Sequence, residues 1–449
     1  MNRTTVAAAV AAVLAGGSAM AQPTIGQINA VPAANTIYIA GSSAIKAALL
    51  ANIENNFCGG SFTAVTSNGT NTNFSGISCT PVSGQAKNGG IYNVWVRVEG
   101  GSVTGYLPVV NGIKVKQIDG ATLTANPITI NGASTGNGTD DSFSVSAGGS
   151  LTEASVDLGI GDVEPKALIN NNYPTAYSTA VWGPVNNAGM FGLGASPLVD
   201  EVYAVFVNEN SSLFTEKPLQ LSQQTVASIL SHGIKNWSQV TDISGNTVVS
   251  GSLAITIVDR EAGSGSRAAT DILMVGDGCS GAGKTVKLFD PNPATDFFST
   301  GNVLSAASGI AGSVTYATID NATSFPLLQM VSLNGVVPSN LAAAQGTYPF
   351  WVEASFVDNS STTGADDTAI KNIISGLQNQ ATTSSLADIN AIPDLTLANG
   401  GGQVNTTVHA DASLSGLIPA GGSVTVYINP FTRQDTTCST PISDINVTP

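Results

Sequence analysis

The residues most suited to binding chemistry in this sequence lie between positions 260 and 266, where an arginine precedes two glycines and two serines. Arg260 offers a planar fork of N–H donors that can hold two oxygen atoms at once. Ser264 and Ser266 add hydroxyl donors, and a helix beginning here would direct its unpaired backbone N–H groups to the same place. These donor types indicate a site for a small oxyanion. A serine-capped helix that simply follows a tight turn explains the segment equally well, so neighbouring motifs must decide.

A second motif, Gly278–Thr285, fits the nucleotide-binding pattern G-x-x-x-x-G-K-[ST]. That pattern requires a strand immediately before it, whereas residues 268–275 continue a helical pattern. The N-terminal segment, described below, predicts export, and an exported protein has no supply of ATP. We therefore interpret this motif as a glycine-rich surface turn.

Covalent catalysis finds little support in the sequence. His232 and His409 are its two histidines, and neither lies in a setting typical of a Ser-His-acid triad. The glycine-serine turn does not follow the G-x-S-x-G pattern of hydrolases. We therefore expect a binding protein that is not an enzyme and that uses no metal and no cofactor.

The charge balance limits the class of partner. The sequence of 449 residues has 15 lysines and arginines against 30 aspartates and glutamates, a formal net charge of −15. Nucleic acid requires clustered basic residues, so this balance argues against it. It does not argue against a small anion, because local donors govern a buried site.

The N-terminus predicts export. Arg3 precedes an apolar run of alanine, valine and leucine that is too short to span a bilayer, and Ala19-Met20-Ala21 fits a signal-peptidase site. We expect a signal peptide over residues 1–21, with Gln22 at the mature N-terminus. No later stretch has the ~20 uninterrupted apolar residues of a membrane helix. The expected location is the periplasm, with secretion or the cell surface as alternatives.

Four cysteines in an exported protein predict two disulfides. Cys58 with Cys79 is the preferred pair, since it closes a short loop rich in glycine, serine and asparagine. Cys279 with Cys438 follows by elimination. The sequence does not fix any of the three possible connectivities.

The elements that must position the oxyanion site alternate between strands and helices. A buried strand at 36–40 leads through a Gly-Ser-Ser turn into a helix at 44–57, and a strand at 253–258 leads to Arg260 and a helix at 266–274. Strands are also predicted at 91–98 and 156–162, and a helix with a serine cap at 222–230. This alternation indicates a largely parallel α/β arrangement. Polar, glycine-rich stretches at 59–90 and 108–150 predict β-rich insertions, the second containing hairpins with Asn-Gly turns.

Four motifs in order along the chain resemble those of the phosphate-binding proteins of bacterial ABC uptake systems, in the periplasmic binding protein superfamily. The matching segments are Ile39–Ala44, Glu99–Ser102, Val156–Asp162 and Arg260–Ser266. The resemblance covers most of the mature chain, although each motif is short. It implies a ligand set of Ser43, Ala44, Ser102, Asp162, Arg260, Ser264, Gly265 and Ser266.

Asp162 is the most informative member of this set. A carboxylate facing an anion is repulsive unless the ligand brings a proton to donate, which hydrogen phosphate does and sulfate does not. A loop aspartate that caps a helix is the simpler explanation without the resemblance. The chain also departs from the family at two positions. Ala262 replaces an acid that often steadies the arginine, and Ala44 lacks an aromatic ring.

The resemblance implies two α/β lobes of the type II class with a ligand cleft between them. Lobe I would combine residues 22–175 and 315–449, and lobe II would hold residues 176–314. The implied function is capture of phosphate or a similar protonated oxyanion by a monomer that delivers it to an ABC permease. The alternatives are an extracellular phosphatase or phosphate scavenger on the same scaffold, and a surface or matrix protein that keeps the fold without transport.

Overall fold

The architecture comes from a computed structural model of the full chain. It describes residues 22–132, 143–169, 187–276, 296–378, 391–392, 431–433, 437–438 and 442–443. The predicted signal peptide and the glycine-rich motif at 278–285 lie outside these residues, as does most of the chain after residue 394. Within the described ranges, no helix combines the length and apolarity needed to cross a membrane.

The helices of the described residues are mostly short. They are α1 (Ile25–Asn29), α2 (Lys46–Asn52), α3 (Val103–Asn111), α4 (Asn187–Gly192), α5 (Gln223–Leu230), α6 (Gly265–Thr270), α7 (Thr300–Ser308), α8 (Asn340–Ala344), α9 (Ser360–Thr363) and α10 (Asp367–Gln378). Wider π-helical turns extend α2 through Ile53–Phe57 and α6 through Asp271–Val275.

The strands of the first half are β1 (Thr36–Gly41), β2 (Phe62–Gly69), β3 (Phe74–Cys79), β4 (Tyr92–Arg97), β5 (Lys114–Ile118), β6 (Ile128–Asn131), β7 (Ser144–Ala147), β8 (Leu151–Ser155), β9 (Leu158–Gly161) and β10 (Ser196–Asn208). Those that follow are β11 (Gln220–Leu221), β12 (Thr256–Ile257), β13 (Asp259–Arg260), β14 (Asp296–Phe297), β15 (Ser313–Thr318), β16 (Leu328–Met330), β17 (Ser332–Leu333), β18 (Trp351–Asp358), β19 (Ala391–Ile392), β20 (Phe431–Thr432) and β21 (Ile442–Ser443).

One large mixed sheet organises the chain, in the order β12-β15-β10-β18-β9-β1-β4-β3-β2-β6-β7. β1 pairs in parallel with both β4 and β9, as expected for strands joined by helical crossovers. The long apolar strand β10 connects the two halves of the sheet. Its first part, Ser196–Val202, pairs with β18, and its second part, Tyr203–Val207, pairs with β15. The predicted α/β class is confirmed, but the predicted largely parallel arrangement is wrong, because β10 pairs antiparallel with β15 and β18, and β3 pairs antiparallel with β2 and β4.

Several predicted elements are confirmed because local patterns determine them. β1, β4 and β9 occupy the predicted strand segments, and α2 with its π-helical turn fills the predicted helix at 44–57. α5 begins after Ser222, whose hydroxyl accepts a hydrogen bond from the backbone N–H of Thr225 at 3.0 Å. The predicted strand at 253–258 is shorter, with ladder pairing at Thr256–Ile257.

Of two predictions about the polar stretches, one is confirmed and one is wrong. The β-rich character predicted for 59–90 is confirmed by β2 and β3, which extend the main sheet beyond β4, and every residue of β3 is buried. The predicted Asn111-Gly112 hairpin turn is wrong. Asn111 ends α3, and Gly112 adopts a left-handed conformation (φ +63°) as the helix cap. Glycine is favoured at a helix C-terminus for this reason, so the same dipeptide fits both structures. Antiparallel pairing of β6 with β7 and of β5 with β8 agrees with the hairpins predicted farther along.

The preferred disulfide is confirmed. Cys58, just after the π-helical turn, is bonded to Cys79 at the end of β3, and both are buried in the core formed by β1, β4, α2 and α10. Cys438 is also disulfide-bonded. Its predicted partner, Cys279, lies outside the described residues, so that pairing stays a prediction, as do the predicted lobe boundaries.

Candidate functional site

Four separate segments bring the predicted site residues together. Ser43 lies in the turn after β1, Ser102 directly precedes α3, Asp162 follows β9, and β13 leads through a tight turn into α6. A backbone hydrogen bond of 3.0 Å from Val103 N to Gly263 O joins the α3 segment to this turn. These segments are far apart in the sequence. The pairing of β1 with β9 and the turn between β13 and α6 bring them next to each other.

Arg260 lies at the centre of one cluster, and its side chain is 1% exposed. Its Nη1 donates to Thr300 Oγ1 at 3.0 Å and to Ser43 Oγ at 3.4 Å. Its Nε donates to the Phe297 carbonyl at 3.2 Å, and Nη2 donates to the Phe298 carbonyl at 3.1 Å. The guanidinium is therefore held in one orientation by two carbonyls and a hydroxyl on the segment that leads into α7.

These contacts with the segment that leads into α7 hold the guanidinium although residue 262 is an alanine and not an acid. Sequence reasoning missed this segment, although Ser299 is a recognisable helix cap, with Oγ accepting from Asn302 N at 3.4 Å. Thr300 also lies 2.9 Å from Ser43 through their hydroxyl oxygens, so it links Ser43 to Arg260.

Asp162 lies at the centre of the second cluster. Its backbone N–H donates to Ser102 Oγ at 3.0 Å, and Ser266 Oγ donates to its Oδ2 at 3.1 Å. Gly265 is required here, because a Cβ atom at this position would lie 2.2 Å from Ser102 Oγ and 2.8 Å from Asp162 Cβ. The start of α6 is therefore packed directly against Ser102 and Asp162.

Two predicted residues have local roles in this structure. Ser264 is the N-cap of α6, and its hydroxyl accepts from Arg267 N at 3.3 Å, as a helix cap does. The Ala44 N–H donates to Ser42 Oγ at 3.0 Å. Gly101, with φ +72°, lets the α3 segment approach Ser264, since a Cβ there would lie 2.9 Å from Ser264 Cα. The role of all eight residues as ligands stays a prediction.

A polar network behind Arg260 fixes its backbone. Asp259 accepts from Arg260 N at 2.7 Å and from the Tyr316 hydroxyl. Arg267 donates through Nη1 to the Arg260 carbonyl at 2.9 Å and lies 3.8 Å from the Asp259 carboxylate. Both main-chain polar groups of Arg260 are thus engaged, which makes its position independent of its side-chain contacts.

Glu201 on β10 is the residue near the site that sequence reasoning missed. It is 1% exposed, and Tyr203 Oη lies 3.3 Å from its Oε2. Burial and the neighbouring Asp162 carboxylate raise the pKa of Glu201 well above its ordinary value. An acid followed directly by the apolar run 202–207 was the available signal, because a charged residue is rarely placed in a buried strand without a reason.

The electrostatic surroundings of the Asp162 and Glu201 carboxyl groups differ. Burial raises the pKa of Asp162, while the charge of Arg260 and the Ser266 hydrogen bond act to lower it. Glu201 has no such cation among the causes of its shift, and Asp320 raises its pKa further. Asp162 therefore ionises more readily than Glu201. The described residues contain no group of three or more histidine, cysteine or acidic side chains arranged to hold a metal.

Comparison with known families gives a match over part of the chain. Residues 190–374 match the PBP superfamily domain, a segment that contains Arg260 and the start of α6. This match agrees with the superfamily that the four motifs predicted. Ser43, Ser102 and Asp162 precede the matched segment. No curated protein matches the chain in sequence.

Solved structures that the comparison returns come from several bacteria. One described as a phosphate ABC transporter substrate-binding protein with bound phosphate, from Clostridium perfringens, has 13% identity and a TM-score of 0.47, covering 80% of this chain and 99% of that one. An ABC-type phosphate transport receptor from Vibrio cholerae has 16% identity and a TM-score of 0.38, with coverage of 77% and 94%. A phosphate-binding protein from Stenotrophomonas maltophilia has 16% identity and a TM-score of 0.40, with coverage of 77% and 83%.

Proposed function

We propose that this protein is an exported solute-binding protein that captures phosphate, or a similar protonated oxyanion, among the four segments that meet around Arg260 and Asp162. One observation carries the proposal. A buried arginine and a buried carboxylate lie with serine hydroxyls and a helix start at the meeting point of segments that are distant in sequence. Such convergence of charged and polar groups is typical of a ligand site.

Arg260 supplies the charge that an oxyanion requires. Its longest hydrogen bond is the 3.4 Å contact to Ser43 Oγ, whereas its bonds to Thr300 and the Phe297 and Phe298 carbonyls measure 3.0 to 3.2 Å. The weakest contact is the one most easily exchanged for a ligand oxygen. The Ser43 hydroxyl would then turn to the same oxyanion, while the carbonyls keep the guanidinium in place.

Asp162 supplies the selectivity. It is 2% exposed, and its Oδ1 has no hydrogen-bond partner among the described protein groups. A buried carboxylate oxygen without a donor is costly, so a ligand that brings a proton is favoured. Hydrogen phosphate and hydrogen arsenate carry that proton at neutral pH. Sulfate lacks it, and would leave two negative charges facing each other.

The superfamily indicates how the captured anion would be used. We infer that two lobes close on the ligand by a hinge motion and that a permease in the inner membrane recognises the closed form. The predicted export signal agrees with a periplasmic location for the mature protein. A monomer would suffice for this cycle, since all of the proposed ligands belong to one chain.

Calorimetry on the mature protein, residues 22–449, tests the proposal. Phosphate and arsenate should bind, and sulfate should bind at least about 100-fold more weakly, as expected for one uncompensated buried charge. Asp162→Asn should narrow that ratio to about tenfold or less, because the repulsion is removed. Asp119→Asn, at a turn cap distant from the site, is the matched control and should keep the wild-type ratio. Equal binding of sulfate and phosphate by the wild type would contradict the assignment of Asp162. Turnover of a phosphomonoester would instead favour the phosphatase alternative.

A further inference from the structure

Two carboxyl groups are buried side by side below the proposed oxyanion site. Glu201 and Asp162 are 1% and 2% exposed, and Glu201 Oε1 and Asp162 Oδ1 both lack hydrogen-bond partners among the described groups. Two adjacent carboxylates in a buried place cannot both be ionised without a large cost. The pair must therefore hold a proton, and the surrounding hydroxyl groups indicate where it resides.

A chain of three contacts connects the two acids. Glu201 Oε2 lies 3.3 Å from Tyr203 Oη, which lies 3.4 Å from Ser266 Oγ, which lies 3.1 Å from Asp162 Oδ2. If both acids are ionised, Tyr203 donates to Glu201 and Ser266 donates to Asp162, which leaves the contact between Tyr203 and Ser266 without a hydrogen. A proton on Glu201 supplies that hydrogen, because Glu201 can then donate to Tyr203 and Tyr203 can donate to Ser266.

The charges around the pair favour the same assignment. The titratable groups that act on one or both acids are Tyr203 on β10, Tyr106 on α3, Asp320 in the turn at 319–323 and Arg260 on β13, and Glu164 after β9 acts on Tyr106. Arg260 is the cation of this set, and it stabilises the charge of Asp162. Asp320 disfavours a negative charge on Glu201, whereas the Tyr203 hydroxyl favours a charge on either acid, so the cation decides that the charge belongs on Asp162 and the proton on Glu201.

We propose that Glu201 is a specificity-determining residue of the site, which shares one proton with Asp162 through Tyr203 and Ser266 and so keeps Asp162 as the single charged acceptor facing the ligand. This role rests on the proposed oxyanion function. With Glu201 protonated, the local charge of Asp162 and Arg260 sums to zero and an anion can enter. Once Glu201 ionises at high pH, the same groups carry a net negative charge that repels the anion.

The pH dependence of phosphate binding tests the role of Glu201. We expect wild type and Glu201→Gln to bind phosphate within about twofold of each other at pH 6, because the amide is neutral and can donate to Tyr203. By pH 9 the wild type should bind about tenfold more weakly than the variant, the factor expected for one added buried charge. Comparing two proteins with the same ligand cancels the titration of phosphate itself.

Glu209→Gln is the matched control. Glu209 is also buried, it directly follows β10, and its pKa is raised to about 7, so it ionises between pH 6 and pH 9, the interval of the experiment. Its carboxylate accepts from Leu219 N at 3.0 Å and contacts none of the site residues. The control should therefore follow the wild-type binding profile at every pH. A control profile that instead follows Glu201→Gln would overturn the assignment to Glu201.

Infrared spectroscopy at pH 7 in the Glu209→Gln background, which removes the band of the half-protonated Glu209 carboxyl group, locates the proton without a ligand. We expect the carbonyl stretch of a protonated carboxyl group, lost in Glu201→Gln and kept in Asp162→Asn. Absence of that band would overturn the shared proton, and parallel binding profiles of wild type and Glu201→Gln up to pH 9 would overturn its role in binding. Failure of the wild type to bind phosphate at any pH would contradict the proposed function, while the infrared band would still test the proton.

Discussion

Replacing Gly265 by alanine is the substitution whose consequence follows most directly from the geometry. The added Cβ would lie 2.2 Å from Ser102 Oγ, 2.8 Å from Asp162 Cβ and 2.9 Å from Asp162 Oδ2. The serine hydroxyl can rotate away, but the Asp162 Cβ is tied to its backbone and must move from 2.8 Å to about 3.4 Å to reach ordinary contact. The start of α6 and the end of β9 are therefore forced apart.

The cost has two parts. Rotation of Ser102 breaks its 3.0 Å hydrogen bond from Asp162 N, a loss of about 1 kcal/mol. Separation of two packed segments adds an overpacking penalty of about 1–3 kcal/mol. Alanine recovers about 0.5–1 kcal/mol through its helix preference. We therefore expect the free energy of unfolding to fall by about 1–3 kcal/mol and phosphate affinity to fall by at least about tenfold, because the acceptor and the donors no longer face each other.

Gly301 in α7 provides the control, since a Cβ there meets no atom within 4 Å. Gly301→Ala should leave phosphate binding unchanged and raise the free energy of unfolding slightly. Urea unfolding measures the stability of both variants, and calorimetry measures their phosphate affinity. If Gly265→Ala unfolds at the wild-type urea concentration and binds phosphate normally, the described packing of α6 against Asp162 is incorrect.

Two further predictions concern stability. Removing the disulfide in a Cys58→Ser/Cys79→Ser double variant should lower the free energy of unfolding by about 3 kcal/mol, the loop-closure value for a separation of 21 residues, and an unchanged urea midpoint would contradict this. Burial raises the pKa of Glu209 to about 7 from 4.5, so the folded state keeps a proton that the unfolded state loses, and wild-type stability should decline as pH rises from 4.5 to 7. The stability advantage of Glu209→Gln over the wild type should grow across that interval in urea unfolding, and a constant difference would show that Glu209 ionises normally.

Local patterns in the sequence predicted the elements that depend on nearby residues. The strand and turn before Ser43, the serine cap of α5 and the helix after Ser264 all follow from hydrophobic spacing and capping chemistry within a few positions. The same patterns were less complete for 59–90. They predicted a β-rich insertion there but did not predict that pairing with β4 makes β3 a buried strand of the main sheet. Strand burial is set by partners distant in sequence, which no local window contains.

Prediction of the site residues from the sequence is limited in the same way. The resemblance to a known family, rather than hydrophobic spacing, placed Ser43, Asp162 and Arg260 in one constellation. The resemblance could not predict that the Phe297 and Phe298 carbonyls orient Arg260. Every residue type has a backbone carbonyl, so a sequence motif does not record this contact. Glu201 also escaped attention, since its importance comes from a contact chain through Tyr203 that forms only when β10 packs against the start of α6.

Titration of the mature wild-type protein with phosphate by isothermal calorimetry tests the central claim most directly. The structure places one arginine-centred cluster and one carboxylate-centred cluster in contact, so we predict saturable binding of one phosphate per chain. Arg260→Lys should weaken it, because lysine lacks the planar fork that the carbonyls of Phe297 and Phe298 orient. Absence of saturable binding with phosphate, arsenate and sulfate alike would contradict the account.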